Sequence, residues 1–363
     1  MTRHPDQPPP PMPLARGRVT VKDVAAKAGV STAAVSQALN GRGALSADTR
    51  RRILDTASEL GYSPDRYAAA LRRGRTLSIG YVSSTPLDPV REAAQAQYSM
   101  RQLSSLVDAA AAHRFTVTVI PSSKPELLRT ARVDAVYAPD ARQSDPLLAI
   151  AAAEGIPVIT NDLPLPPGAG LYIRTGYEEA ATAALDLLAT SGAKTVGLLT
   201  GQPGLPRLEI GEAVYAQWCA DRGQAPIVAR VDAASLELAG SIRELIRHGV
   251  DGLFSFAQEG PRLFLDLTAL DIVLPRDLQL VALCLHDCAL NRRLSVTHVC
   301  VHPEQAPALL FPELVTALDT STTSISPVVL PWELQGGSTT RASPSRIRPG
   351  ALPARAEAQA NVP

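Results

Sequence analysis

One short stretch near the amino terminus carries side chains suited to touching nucleic acid. In STAAVSQALN, residues 31–40, the side chains of Thr32, Ala33, Ser36, Gln37 and Asn40 fall on the outward face of a helical pattern. They are short, and no long acidic residue stands among them. A helix that enters a major groove needs such residues near its start, where they reach base edges and phosphates. The amide of Gln37 matches the donor and acceptor of adenine, and Ala33 can offer only apolar contact, as to a thymine methyl.

A second group could bind a metal. Cys284, His286 and Cys288 stand at i, i+2 and i+4, and His298, Cys300 and His302 repeat that spacing. On strands, a period of two puts each trio on one face. Sulfur and nitrogen donors at that density suit zinc or copper. Cysteine is also among the most buried residue types, so we read these as core strand residues and assign no metal or cofactor. The chain has no Gly-rich phosphate loop, no G-x-S-x-G and no H-E-x-x-H, and Asp287 beside His286 is a lone adjacency. An enzyme is not expected.

The elements that must position the first group are legible around it. Val21, Val24, Ala25 and Ala28 fall at i, i+3, i+4 and i+7, one apolar helical stripe. Thr20 stands at the N-cap and Gly29 ends the helix. Ser31 then caps a second helix, with Val35, Ala38 and Leu39 inward. So short a turn between two short helices is helix-turn-helix geometry. A third helix starts near Ser46, buries Ile53, Ala57 and Leu60, and stops at Gly61.

Charge is sorted to match. The whole chain has 35 basic and 35 acidic residues, which taken alone counts against a nucleic-acid partner. Residues 14–76, however, hold 12 basic and five acidic residues, a net of +7. Residues 1–13 cancel, so residues 77–363 carry −7. A small basic head on a larger acidic body is expected.

These segments carry a family resemblance. VTVKDVAAKAGVSTAAVSQALNG followed by LSADTRRRILDTASELGYSPDRYAAALRRG resembles, without a gap from about Val19 to Gly74, the DNA-binding head of the lactose-repressor (LacI/GalR) family of bacterial transcription regulators. The resemblance implies that Thr32, Ala33 and Gln37 face base edges. It implies that Thr20, Ser31, Ser36, Asn40, Ser46 and Thr49 hold phosphates, which position without specifying. Family members often carry Arg where Gln37 stands, so a different base is expected there. It implies also a hinge helix from Pro64 to Gly74, containing Arg66 and Ala68, whose Leu71 wedges into the minor groove and bends the duplex.

From Leu77 onward, apolar strand runs alternate with helical segments, the signature of parallel sheets covered on both faces. LSIGYV, FTVTVI, VDAVYA and IPVIT precede a change near Tyr172–Gly176, and TVGLLT, PIVARV, DGLFSF and LQLVAL follow it. This agrees with the family's bilobed, periplasmic-binding-protein-like body, in which two doubly wound parallel-sheet lobes are joined by three crossings, here near Arg174, Val301 and Pro327. Ligands in such sheets bind beyond the carboxyl ends of the strands. Asp162, Tyr177, Tyr215, Gln258 and Cys284 are the candidate cleft residues. The family's grip on sugars is altered: the Arg-x-x-Gly-Phe/Tyr motif reads Gly211-Glu212-Ala213-Val214-Tyr215. A conventional sugar effector is therefore not expected.

The expected organisation is a Pro-rich disordered arm at 1–17 and a helix-turn-helix domain at 18–63. A hinge at 64–76, a bilobed effector and dimerisation domain at 77–338 and a disordered tail at 339–363 follow. The expected function is a cytoplasmic homodimeric repressor, or a tetramer of such units, on a pseudo-palindromic double-stranded DNA operator. A small-molecule effector in the cleft would control it. The alternative is an effector-independent regulator whose body only dimerises. A plain solute-binding protein would need an export signal, and the proline-rich start does not resemble one.

Overall fold

The computed structural model describes residues 19–39, 41, 43, 45–62, 74–83, 93–166, 169–231, 238–256, 260–284, 288–320, 328–342 and 347–348. Two compact units divide at Arg75 and Thr76.

Among the described residues, the first unit holds three helices: α1 (Val21–Ala28), α2 (Thr32–Leu39) and α3 (Ala47–Glu59). Thr20 donates from its backbone N–H and its hydroxyl to the Asp23 carboxylate, at 2.8 and 2.7 Å, which starts α1. Gly29 closes that helix at φ +65°, a left-handed conformation that favours glycine. Ser31 accepts from the Ala34 N–H at 3.2 Å, and Ser46 accepts from the Thr49 N–H at 3.2 Å. Val24, Val35, Ile53 and four alanines and their neighbours form one small core, in which the alanines let the helices approach closely. Lys27 pairs with Glu59 at 3.0 Å, but both are exposed, so the pair adds little.

The second unit has two six-stranded sheets. The first comprises β1 (Ser78–Ser83), β2 (Thr116–Pro121), β3 (Ala135–Ala138), β4 (Val158–Asn161), β5 (Gly170–Arg174) and β11 (Val328–Val329). Its order is β11-β5-β4-β3-β1-β2, all parallel. Helices α4 (Ala93–Ala112) and α11 (Ala306–Thr320) contribute to the core on one face, and α5 (Pro146–Glu154) to the core on the other.

The second sheet comprises β6 (Val196–Gly201), β7 (Val228–Val231), β8 (Gly252–Ser255), β9 (Gln279–Cys284), β10 (His298–Cys300) and β12 (Glu333–Gln335). Its order, β12-β10-β9-β8-β6-β7, repeats that of the first. Here the edge strand β12 runs antiparallel to β10, on an otherwise parallel sheet. Helices α6 (Tyr177–Thr190) and α7 (Pro206–Ala220) cover one face. Helices α8 (Leu238–Arg247) and α9 (Gly260–Ala269) cover the other, and the short α10 (Cys288–Arg293) follows β9.

The chain passes from lobe to lobe after β5, after β10 and between β11 and β12. The last passage thus lies at residues 330–332, later than the expected Pro327, which is outside the described residues. Thr339 and Thr340, expected to lie in a disordered tail, are instead held in the fold. Thr339 and Thr340 are buried, and the Thr339 hydroxyl donates to the Leu280 carbonyl at 2.8 Å while accepting from the Thr297 N–H at 2.9 Å. Composition without periodicity hid these two hydroxyl anchors. Among the described residues, no helix is long and apolar enough to cross a membrane.

Candidate nucleic-acid interface and interlobe cleft

On the first unit, Thr32, Ala33 and Gln37 are all exposed on α2, while Val35 and Ala38 turn inward. The aliphatic and amide atoms of Gln37 lie against Gly43, where an added Cβ would meet them at 2.6–3.0 Å. Ser31 and Ser46 are exposed at helix starts, and Thr20 is exposed at the start of α1. Ser36 and Thr49 are half-buried, and the Ser46 hydroxyl donates to that of Thr49 at 2.8 Å. Helix starts with free N–H groups and exposed hydroxyls favour phosphate oxygens. Asn40, Arg66, Ala68 and Leu71 lie outside the described residues.

In the body, the lobes meet through groups that sequence spacing did not pick out. Arg207, in the first turn of α7, faces Asp140 beyond the end of β3, with Nη1 to Oδ1 at 3.7 Å and both side chains largely buried. Gln102 on α4 donates to the Tyr98 hydroxyl at 3.0 Å, and Tyr137 on β3 donates to Asn161 Oδ1 at 3.1 Å. Burial pushes the hydroxyls of Tyr81, Tyr98, Tyr137 and Tyr177 up, so all four stay neutral. Gln102 Oε1 and Asn161 Nδ2 are buried without a hydrogen-bond partner among the described groups. The one available signal was tyrosine near the carboxyl ends of otherwise apolar strands. Arg207 escaped because it stands four residues before Gly211, the position that motif spacing assigns to the arginine.

The expected cleft residues are not brought together. Tyr215 is fully buried inside its own lobe. Its hydroxyl donates to the Val196 carbonyl at 2.8 Å and accepts from the Ile227 N–H at 3.0 Å, both where strands begin. A ligand beyond the carboxyl ends cannot use it, which corrects its place among the cleft residues. Tyr177 is buried at the first turn of α6, edge-on to Phe256 with ring centroids 5.5 Å apart. Gln258 lies outside the described residues.

Asp162 serves the crossing itself. Its carboxylate accepts from the Thr175 N–H at 2.8 Å and from the Thr175 hydroxyl at 2.6 Å, tying the end of β4 to the chain leaving β5. Burial, opposed by these two hydrogen bonds, raises its pKa from 3.8 to about 6. The neutral form is therefore the better one in the fold. Stability from that preference is present below pH 3.8 and is lost as pH rises through about 6. Asp162→Asn keeps the shape, suits the φ of +53° at this position and cannot titrate. The wild type should lose roughly 2 kcal/mol relative to this variant between those pH values. Thermal unfolding of both proteins across that range checks it, and parallel curves would remove this role.

The cysteine and histidine candidates are rearranged. Cys284 ends β9, Cys288 begins α10 and Cys300 ends β10, and their Sγ atoms all lie within 4.8 Å of one another. The first trio thus does not share one strand face, because the chain turns into a helix at Cys288. Cys288 and Cys300 form a disulfide. His298 points Nδ1 at its own strand, 2.7 Å from the Val296 carbonyl, and His302, past the end of β10, pairs with Glu304 at 3.2 Å. His286 lies outside the described residues.

Comparison with known proteins agrees with both units. Residues 20–65 match the family described as bacterial regulatory proteins, lacI family. The HTH-type transcriptional regulator IpsA of Corynebacterium glutamicum is 31% identical over 192 residues, 50% of this chain and 52% of that protein. The sucrose operon repressor of Klebsiella pneumoniae is 47% identical over 68 residues, covering 18% of this chain and 20% of that one. The chain spans about half or less of the length of the curated relatives it matches. In fold, the lac repressor dimer bound to operator and the anti-inducer ONPF superposes with a TM-score of 0.68 at 18% identity. That match covers 89% of this chain and 99% of that one. The transcriptional regulator CelR–cellobiose complex gives 0.62 at 21% identity, over 89% and 100%. Residues 20–65 thus match the lacI family of bacterial regulatory proteins, and the chain shares its fold with the lac repressor.

Proposed function

We propose that the protein is a homodimeric transcription repressor that binds a pseudo-palindromic operator through two heads and answers to a small molecule between its lobes. The exposure of Thr32, Ala33 and Gln37 on one helix of a head carrying +7 carries this reading. Two such heads would read two half-sites, with the hinge segments in the minor groove between them. Ligand binding would change how the lobes meet, and with it the spacing of the hinges.

The proposed effector is small and uncharged. Asp140 already faces Arg207, the tyrosines are neutral, and the orphaned acceptor of Gln102 and donor of Asn161 suit a hydroxyl or amide. A second reading, a regulator without an effector, is favoured by the same contacts. Arg207 and Asp140 spend charge on each other, Tyr98 accepts from Gln102, and Tyr137 donates to Asn161. A thermal-shift screen against sugars, nucleosides and small aromatic compounds separates the two, since a ligand of the native state raises the melting temperature.

The DNA side is tested with two variants. Gln37→Ala should cost about 1–3 kcal/mol of base discrimination at one position per half-site, leaving binding to random duplex unchanged. Leu71→Ala should weaken the operator complex far more than the random one, because a wedge contributes only where the duplex bends. Fluorescence anisotropy on both duplexes over a salt series measures both. Equal losses on the two duplexes would sink the assigned roles.

A further inference from the structure

Three of the chain's four cysteines converge from three separate elements, and nothing in the proposed regulatory cycle uses them. Cys284 and Cys300 are register partners on the neighbouring parallel strands β9 and β10. Both are almost fully buried. Cys288 returns over them from α10, and its Sγ is 3.3 Å from that of Cys284. Thiols that merely pack have no reason to meet, and the fourth, Cys219, is buried apart from them. Convergence of soft donors is what a thiophilic ion requires.

We propose that Cys284, Cys288 and Cys300, once the Cys288–Cys300 disulfide is reduced, form a three-thiolate site for a thiophilic metal ion of the Cu(I) or Zn(II) class. A metal at about 2.3 Å from each sulfur holds its ligands about 4 Å apart, which the observed cluster already allows. Three sulfurs complete a Cu(I) site. Zn(II) needs a fourth donor, which water can supply. The site sits at the carboxyl ends of β9 and β10, next to Val301, where the chain leaves for the other lobe. An ion there would pin the foot of that crossing.

The chemistry balances simply. A dithiol reductant passes two electrons and two protons to Cys288–Cys300 and is itself oxidised to a disulfide. Metal binding then displaces thiol protons to solvent. The disulfide and the metal therefore exclude each other.

The test uses the full chain, reduced with a dithiol that is removed under nitrogen. It is titrated with Cu(I) against a bicinchoninate competitor and, separately, with Zn(II) against a chromophoric chelator. The expected result is one equivalent of at least one of these ions per reduced chain, and none per oxidised chain. Cys284→Ser, Cys288→Ser and Cys300→Ser should each lose more than about 100-fold in affinity, above the range for outer-shell partners, and Cys219→Ser should lose nothing. No uptake of either ion by the reduced wild type would overturn the site. So would undiminished uptake by the triple serine variant, or an equal loss in Cys219→Ser. The comparison of reduced with oxidised wild type needs no variant, so a misfolded variant leaves the test standing.

Discussion

Val35→Asp is expected to abolish specific DNA binding while leaving the thermal transition of the body in place. Val35 is fully buried on the inner face of α2, in the cluster that holds Val24 and Ile53. A carboxylate there has no partner, and its burial costs several kcal/mol. A core of this size supplies only about 3–5 kcal/mol in total, so the head unfolds. The body has its own four apolar clusters and forms a separate unit from Thr76. Without a folded α2 no base contact survives, and affinity falls to the non-specific level, a loss of at least about 1,000-fold. Val35→Ala, which only leaves a small void, should cost about 2 kcal/mol and keep measurable operator binding. Calorimetry and anisotropy on the same samples check both. Full operator affinity in Val35→Asp would mean that α2 is not the reading element.

The second large effect is expected in the body. Arg207→Leu removes the cation that faces Asp140 across the lobes. Breaking a buried ion pair costs about 3–5 kcal/mol when the geometry is good. Here the separation of 3.7 Å is longer than a hydrogen bond, so about 2 kcal/mol is expected. That lowers the melting temperature of the body by about 4 °C or more. The double variant Arg207→Leu with Asp140→Leu should recover most of the loss, because two apolar side chains replace two charges. A double-mutant cycle should thus give a coupling of at least about 1 kcal/mol. Simple additivity would show that the two residues do not hold the lobes to each other.

What the sequence revealed follows the range of the forces involved. The head was legible because its stripe, its caps and its turn glycine all act within four residues. The strands of the body were legible as apolar runs. Helix α5 was not, since PLLAIAAAE is apolar all round and shows no period, and α11 carries Pro312 in its interior. The edge strands β11 and β12, of two and three residues, are too short for any pattern. The cleft was least legible. Arg207 meets Asp140 across the lobes, and Tyr137 meets Asn161 because β3 and β4 are neighbours, so neither pair is local in the chain. Motif spacing instead selected Tyr215, whose hydroxyl ties α7 to its own sheet. The cysteine spacing pointed at the right sulfurs for the wrong reason, because it is the turn into α10 and not strand periodicity that closes the cluster.

Selection of the full chain on random duplex DNA tests the central claim most directly. The expected product is a single pseudo-palindromic sequence bound by two chains, whose preference at one position per half-site is lost in Gln37→Ala. Recovery of random sequence, with affinity set only by salt, would contradict it.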